Sequence, residues 1–217
     1  MNGAVPQQRE GGTAPDYYIT VAEDILRLCR PRHGVWVDLG AGAGGLGLAL
    51  AATSSATLVL IDPNAAALAE ALRAAGRRGL QQRVVAVVSP AEAMPLADVS
   101  VDLVVSRGSI FFWRDPAAGV REAYRILRRG GKAMVGGGLG SGYPVGAREE
   151  FVRRREEGVL KEGPEAVRRF QEVRRPETFR QWAVEAGLTD FDVSGEGGLS
   201  PEDARAGLGI WLRFTKR

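Results

Sequence analysis

The chain has 217 residues, 45% of them hydrophobic and 25% charged, a balance that suits one α/β domain with a full-sized core and excludes wholesale disorder. One cysteine, Cys29, excludes an internal disulfide, and one histidine, His33, excludes a His/Cys zinc cluster. The net charge is a mild +3, and residues 121–180 hold 15 basic and 9 acidic side chains whose interleaved signs read as a solvated helical face.

Residues 1–15 carry Gly, Pro and Gln with little apolar content and no apolar h-region, so a flexible arm is expected and no secretory signal is visible. The expected address is a reducing cytoplasm. A helix is predicted over 20–29, with Val21, Ile25 and Leu28 on one stripe and Pro31 closing it. "VWVDLG" (35–40) is a short buried strand, followed after the glycines by a helix start, "GLGLALAA". "TLVLID" (57–62), "RVVAVVS" (83–89), "VDLVVS" (101–106) and "KAMVGGG" (132–138) are four further strands. Between them lie an alanine-rich helix over 65–76 and a helix over 119–131 stopped at Gly130–Gly131. This alternation implies crossover units, hence a Rossmann-like, doubly wound, mostly parallel sheet with helices on both faces. Residues 139–175 break the rhythm and are expected to form a short helical lid, too small to be a domain of its own. A helix over 177–187 and two strands, "DFDVSG" and "GIWLRFTK", then predict an antiparallel C-terminal edge. The expected organisation is therefore an arm, 1–15, and a single domain, 16–217.

The sharpest motif is "VDLGAGAGGLG". In an open α/β sheet, ligands bind beyond the carboxyl ends of the strands, near the point where strand order reverses. Here the first strand delivers Asp38 and then Gly40, Gly42 and Gly44, whose missing Cβ atoms admit a tight turn and a close ligand. Gly42, Gly44 and Gly47 also satisfy the dinucleotide pattern G-x-G-x-x-G, a weak match in a chain with 29 glycines. An ionised Asp38 would repel a pyrophosphate and suits a cofactor bearing an ammonium or sulfonium group. Asp62 ends the second strand, close to the spacing at which an acid takes ribose hydroxyls.

Together, "VDLGAGAG", "LVLIDPN", "VVSPAEAMPLADVSVDLVVS" and "VREAYRILRRGGKAMVGGG" resemble the class I S-adenosylmethionine-dependent methyltransferases, with the likeness running from about Tyr17 to the C-terminus. The pattern is similar to the small-molecule branch related to ubiquinone/menaquinone-biosynthesis methyltransferases. The resemblance implies S-adenosyl-L-methionine as cofactor. Asp38 with the backbone of Gly40 and Gly42 would hold its methionine end, and Asp62 would accept from the ribose hydroxyls. Pro63 or Asn64 would lie against the adenine, with the Ala91 N–H donating to the ring and Glu92 nearby. Ser106 would line the reaction centre, and Tyr17 or Tyr18 would cover the cofactor. One position departs: Pro90 stands where the family often has an Asp accepting from the adenine amino group, so adenine recognition passes to Ala91, Glu92 or a neighbour.

Many relatives carry a His pair after the fourth strand, where this chain has Phe111 and Phe112, followed by Trp113. His33 lies at the wrong end of the sheet for chemistry. With no evident base, the expected nucleophile is one already reactive at neutral pH, such as a thiolate, a carboxylate or an unprotonated amine. No carboxylate set near the fourth strand suits a metal mechanism, and no metal is expected. Arg107, directly beyond the fourth strand, is a candidate clamp for a carboxylate or phosphate, or else a partner of Asp115, Glu122 or a lid acid. Trp113 and Tyr143 are further candidates for positioning substrate. The expected partner is a small, anionic molecule, with nucleic acid and membrane disfavoured and the oligomeric state open. Competing classes are an RNA or protein methyltransferase, a nicotinamide-dependent oxidoreductase and a cofactor-binding protein without catalysis.

Overall fold

The structure, a computed structural model, describes residues 16–194 and 209–217; the expected arm, 1–15, lies outside the described residues, as does the last residue of "DFDVSG". The elements run α1 (Tyr17–Cys29), β1 (Val35–Leu39), α2 (Gly45–Ala52), β2 (Thr57–Asp62), α3 (Ala65–Arg77), β3 (Val84–Val88) and β4 (Val101–Arg107). A single 3-10 turn over Ile110–Phe112 precedes α4 (Pro116–Ile126), β5 (Leu127–Gly138), α5 (Val145–Lys161), α6 (Pro164–Glu172), α7 (Pro176–Glu185), β6 (Phe191–Ser194) and β7 (Gly209–Thr215). The strands form one sheet in the order β3-β2-β1-β4-β5-β7-β6. The first five are parallel, and β7 is antiparallel to both its neighbours. The predicted doubly wound sheet is therefore present. One detail differs: the C-terminal strand β7 enters between β5 and β6, and β6 forms the edge.

Strand alternation explains the two cores. Trp36, Leu58, Leu60, Leu103 and Val105 point into a core shared with α1, α2 and α3. Val37, Leu39, Val59, Ile61 and Val104 point to the opposite face, beneath α4 and α7. Helix starts follow from side-chain caps. Asp16 accepts from the Tyr18 N–H, Asn64 from the Ala66 and Ala67 N–H groups, and Asp115 from the Ala118 N–H ahead of Pro116. Cys29 is buried, and burial pushes its thiol up to about 11, as an inert core residue.

The helix predicted over 119–131 is shifted. It begins at Pro116 and ends at Ile126, and residues 127–131 already belong to β5. The double glycine serves a bulge inside that strand: Val101 pairs with Leu127, but Leu103 pairs with Lys132. A Cβ on Gly131 would sit 2.8 Å from the Arg128 carbonyl oxygen, so the bulge has no room for a side chain there.

After β5 the chain is pinned before it enters α5. The Asp24 carboxylate accepts from the N–H and hydroxyl of Ser141, both at 2.6 Å, and the Thr20 hydroxyl donates to the Leu139 carbonyl. Buried Arg148, in the first turn of α5, donates to the carbonyls of Gly140, Ser141 and Tyr143. Helices α5 and α6 thus rise from a fixed root on the side where the parallel strands end. Among the described residues, no helix is long and apolar enough to cross a membrane.

Candidate active site

The turn between β1 and α2 is built around two carboxylates. The Asp38 side chain is only 2% exposed, and its Oδ2 accepts the Gly47 N–H at 2.7 Å, fastening the first turn of α2 to the end of β1. A Cβ at Gly47 would lie 2.4 Å from Leu60 Cδ2 and 3.0 Å from Asp38 Oδ2, so only glycine lets the helix come this close. Burial is the main force that raises Asp38 from about 3.8 to about 7; the Gly47 N–H opposes it and the Asp62 charge adds to it. Asp62, at the end of β2, accepts the Gly42 N–H through Oδ2 and the Asn64 N–H through Oδ1, each at 2.8 Å. Gly40 has φ +71°, and a Cβ there would lie 2.1 Å from that of Ser109. The glycine turn is therefore held from below by Asp38, from one side by Asp62 and from the other by Ser109.

Beyond these strand ends lies a cleft of about 630 Å³, a size ordinary for a small-molecule site. Gly40, Asp62, Pro63, Ala91 and Glu92, named above for the cofactor, line it together with Trp113, named above for substrate. Among the described residues, no acceptor takes the Ala91 N–H, so a donor stands available at the wall where an adenine edge is expected. The Glu92 carboxylate, by contrast, accepts the Asp115 N–H at 3.0 Å and ties this loop to the start of α4. A stronger tie comes from Arg125. It donates to the carbonyls of Met94 and Leu96 and to the carboxylates of Glu122 and Asp98, while Glu122 accepts the Met94 N–H. Those bonds to Arg125 are the first cause holding the Glu122 carboxyl below the usual range.

Other predicted residues stand elsewhere. Asp38 and Ser106 do not line the cleft: Asp38 is turned under α2, and Ser106, fully buried, lies 2.6 Å from the Ser109 hydroxyl. Ser109 is the residue the sequence reading missed. Its hydroxyl donates to the Leu39 carbonyl at 2.9 Å, accepts the Trp113 indole N–H at 3.1 Å and lines the cleft. No local signal marks it, because its partners come from β1, β4 and the turn after β4. Trp113 is locked by that bond and by packing on Gly119, where a Cβ would lie 2.5 Å from its ring.

Arg107 and Tyr143 join Tyr17 in a separate group. The Arg107 guanidinium lies 4.1 Å from the Tyr17 ring centroid and 5.2 Å from that of Tyr18, and its Nε donates to the Gly138 carbonyl at 2.6 Å. The suggested ion pairs with Asp115 or Glu122 are not formed, because Asp115 caps α4 and Glu122 is committed to Arg125. Tyr17 also meets Tyr143 at 6.4 Å and Phe151 of α5 at 6.0 Å, edge to face. Tyr18 packs over the glycine turn, where a Cβ on Gly45 would lie 2.3 Å from its ring, and burial raises its phenol well above the ordinary value. His33 is exposed and lies 3.1 Å from the Ser55 hydroxyl at the far end of the sheet.

The residues fit the expected cofactor. An acid stands at the rim for a ribose diol, a free N–H and apolar walls flank a flat base, and a buried carboxylate underlies the turn. Residues 37–135 match a family model described as a methyltransferase domain. A 59-residue stretch is 46% identical to 2-methyl-6-phytyl-1,4-hydroquinone methyltransferase, chloroplastic, of Arabidopsis thaliana, covering 27% of this chain and 17% of that protein. The chain thus spans only a small part of the length of the curated relatives it matches. Among solved structures, a Methanococcus maripaludis protein assigned provisionally as an S-adenosyl-L-methionine-dependent methyltransferase superposes with a TM-score of 0.73 and 29% identity, over 92% of this chain and 85% of that one. The Haemonchus contortus phosphoethanolamine N-methyltransferase 2, solved with phosphomonomethylethanolamine and S-adenosylhomocysteine, shares the fold at a TM-score of 0.62 and 19% identity, over 90% of this chain and 52% of that one. In sheet order, glycine turn and the sequence of residues 37–135, the chain is similar to the class I S-adenosylmethionine-dependent methyltransferases.

Proposed function

We propose that the protein transfers the methyl group of S-adenosylmethionine to a small anionic molecule that needs no general base. The observation that carries this reading is the cleft itself, lined by Gly40, Asp62, Pro63, Ala91 and Trp113, with the Ala91 N–H taken by no acceptor among the described residues. Asp62 would accept from the ribose hydroxyls with the lone pairs its two backbone bonds leave free, and the Ala91 N–H would donate to the adenine. Asp38 would act one layer below, keeping the turn in shape through Gly47 and placing negative charge beneath a cationic methionine end. Bound there, the cofactor supplies a methyl carbon made electrophilic by its sulfonium. The protein contributes alignment and exclusion of water, which suffices when the nucleophile is already deprotonated.

Arg107 would face the acceptor, held in place by the Tyr17 ring and the Gly138 carbonyl. Helices α5 and α6, rooted at Arg148, would act as the lid over that acceptor, with Tyr17 and Phe151 as the contact between lid and floor. The test is calorimetric titration of the wild-type protein and Asp62→Ala with S-adenosylhomocysteine, with NAD as a control. Micromolar binding that Asp62→Ala loses supports the reading; binding of NAD instead overturns it. A screen of thiols, amines and carboxylic acids with methyl-labelled cofactor then identifies the acceptor.

A further inference from the structure

Among the described residues, most arginines that make side-chain ion pairs do so at the surface, as Arg153 and Arg154 do with Glu150, and Arg73 with Glu70. Arg174, between α6 and α7, is different. Its guanidinium lies 3.8 Å from the ring centroid of Phe170 and 3.9 Å from that of Phe111. Its hydrogen bond is a long one, from Nη1 to the Phe170 carbonyl at 3.3 Å, and among the described residues it meets no carboxylate. A guanidinium has five N–H donors, so most of its bonding edge is left for something else. Burial, then the nearby charge of Arg155, lowers Arg174 to about 10, the mark of a cation held at a cost where a counter-anion would relieve it.

Two cavities meet at this residue. A small one of about 120 Å³ is lined by Arg107, Gly108, Gly138, Phe151 and Arg174, at the carboxyl ends of β4 and β5. A larger one of about 710 Å³ is lined by Phe112, Trp113, Phe170 and Trp182, with Glu162 and Arg169 as its other charged groups. Phe111, Arg155 and Arg174 line both. Phe112 and Trp113 also line the cofactor cleft, so the larger cavity adjoins it. Phe112 is 84% exposed, an unusual state for a large aromatic ring and one that a flat ligand lying on it would end.

We infer that these two cavities form the acceptor site for an amphipathic small acid: a carboxylate or phosphate monoester head between Arg107 and Arg174, and a flat apolar body against Phe111, Phe112 and Trp182. The inference rests on the methyl-transfer reading above and names its substrate class. The small cavity admits a head group of a few heavy atoms, and the two guanidiniums supply forked donors that match its geometry. The larger cavity supplies rings on which an aromatic body stacks, beside the cleft from which the methyl group would come.

The experiment uses the full chain saturated with S-adenosylhomocysteine, titrated with benzoate, phenyl phosphate and neutral benzyl alcohol. Both anions are expected to bind at least about tenfold tighter than benzyl alcohol and to weaken as salt is raised. The ratio of benzoate to phenyl phosphate distinguishes a carboxylate from a phosphate head. Arg174→Met, which keeps the stem between the two rings, is expected to lose about tenfold or more of the anion affinity, and Arg174→Lys to recover part of it. Cofactor-product affinity should stay within about twofold in both variants, since Arg174 does not line that cleft. Equal binding of benzyl alcohol and benzoate to the wild-type protein overturns the inference whether or not the variants fold. So does undiminished benzoate binding in Arg174→Met. Failure of S-adenosylhomocysteine to bind the wild-type protein overturns the underlying reading, and this one with it.

Discussion

Replacing Asp38 by Asn should change how stability depends on pH, by an amount the structure sets. Buried at the base of the glycine turn, the Asp38 carboxyl is raised from about 3.8 to about 7 by desolvation, against the pull of the Gly47 N–H bond. Between those values the native state holds a proton that the unfolded state has lost. Stability therefore falls as pH rises from about 4 to about 7, then levels off. The whole span, at about 1.4 kcal/mol per pH unit, is worth roughly 4 kcal/mol, of which roughly 3 kcal/mol lies above pH 5. Asn keeps an oxygen for the Gly47 N–H but has no proton to lose, so its own offset is constant with pH. Urea unfolding of both proteins at intervals from pH 5 to 8 measures the difference. The wild-type protein should lose stability relative to Asp38→Asn across that range. Curves that move in parallel would refute the claim that this carboxyl is buried without a compensating charge.

Three other perturbations probe the site's construction. Asp62→Asn should keep the turn, because its oxygen still accepts one of the two backbone N–H groups, yet lower S-adenosylhomocysteine affinity about 10- to 100-fold by calorimetry; an unchanged affinity removes Asp62 from the cofactor site. Gly47→Ala places a methyl 2.4 Å from Leu60 Cδ2 and should cost about 1–3 kcal/mol, read as a lower melting temperature. An unaltered melting temperature would contradict the close packing of α2 on the sheet. Arg125→Met removes the Arg125 bonds that hold the 94–98 loop to α4 and leaves only the Glu122–Met94 bond; with that side chain 30% exposed, solvent screens part of the loss, and about 1–2 kcal/mol is expected. Hydrogen exchange in residues 90–98 should speed up with it, and unchanged exchange there would show that another contact holds the loop.

What was legible in the chain alone is local. Buried strands such as "TLVLID" and "VDLVVS" announce themselves as short β-branched runs, and the order of strand, glycine turn and helix places Asp38 and Asp62 at strand ends before any contact is known. Period and turn chemistry act within a few residues, so they can be read along the sequence. The misplaced helix boundary near Gly130 shows the limit. A double glycine reads as a helix stop until the pairing of β4 with β5 makes it a bulge, and that pairing joins residues 26 or more positions apart.

The rest was decided by packing between distant segments. Asp38 reads in the sequence as a residue of the cofactor turn, and the fold buries it beneath α2, where its carboxylate accepts the Gly47 N–H. Ser109 entered the cleft only when β1, β4 and the following turn came together. Among the described residues Arg107 pairs with none of the acids suggested for it; capping and an ion-pair network had already claimed Asp115 and Glu122, and no lid acid reaches it. Arg174 carried no motif at all, yet the fold sets it between Phe111, some 60 positions earlier, and Phe170. Residue type and spacing determined that this chain builds a glycine turn between two carboxylates at the end of a parallel sheet. Which charges stay uncompensated beside that turn, and so what an acceptor would meet there, is a property of long-range contacts that only the folded chain possesses.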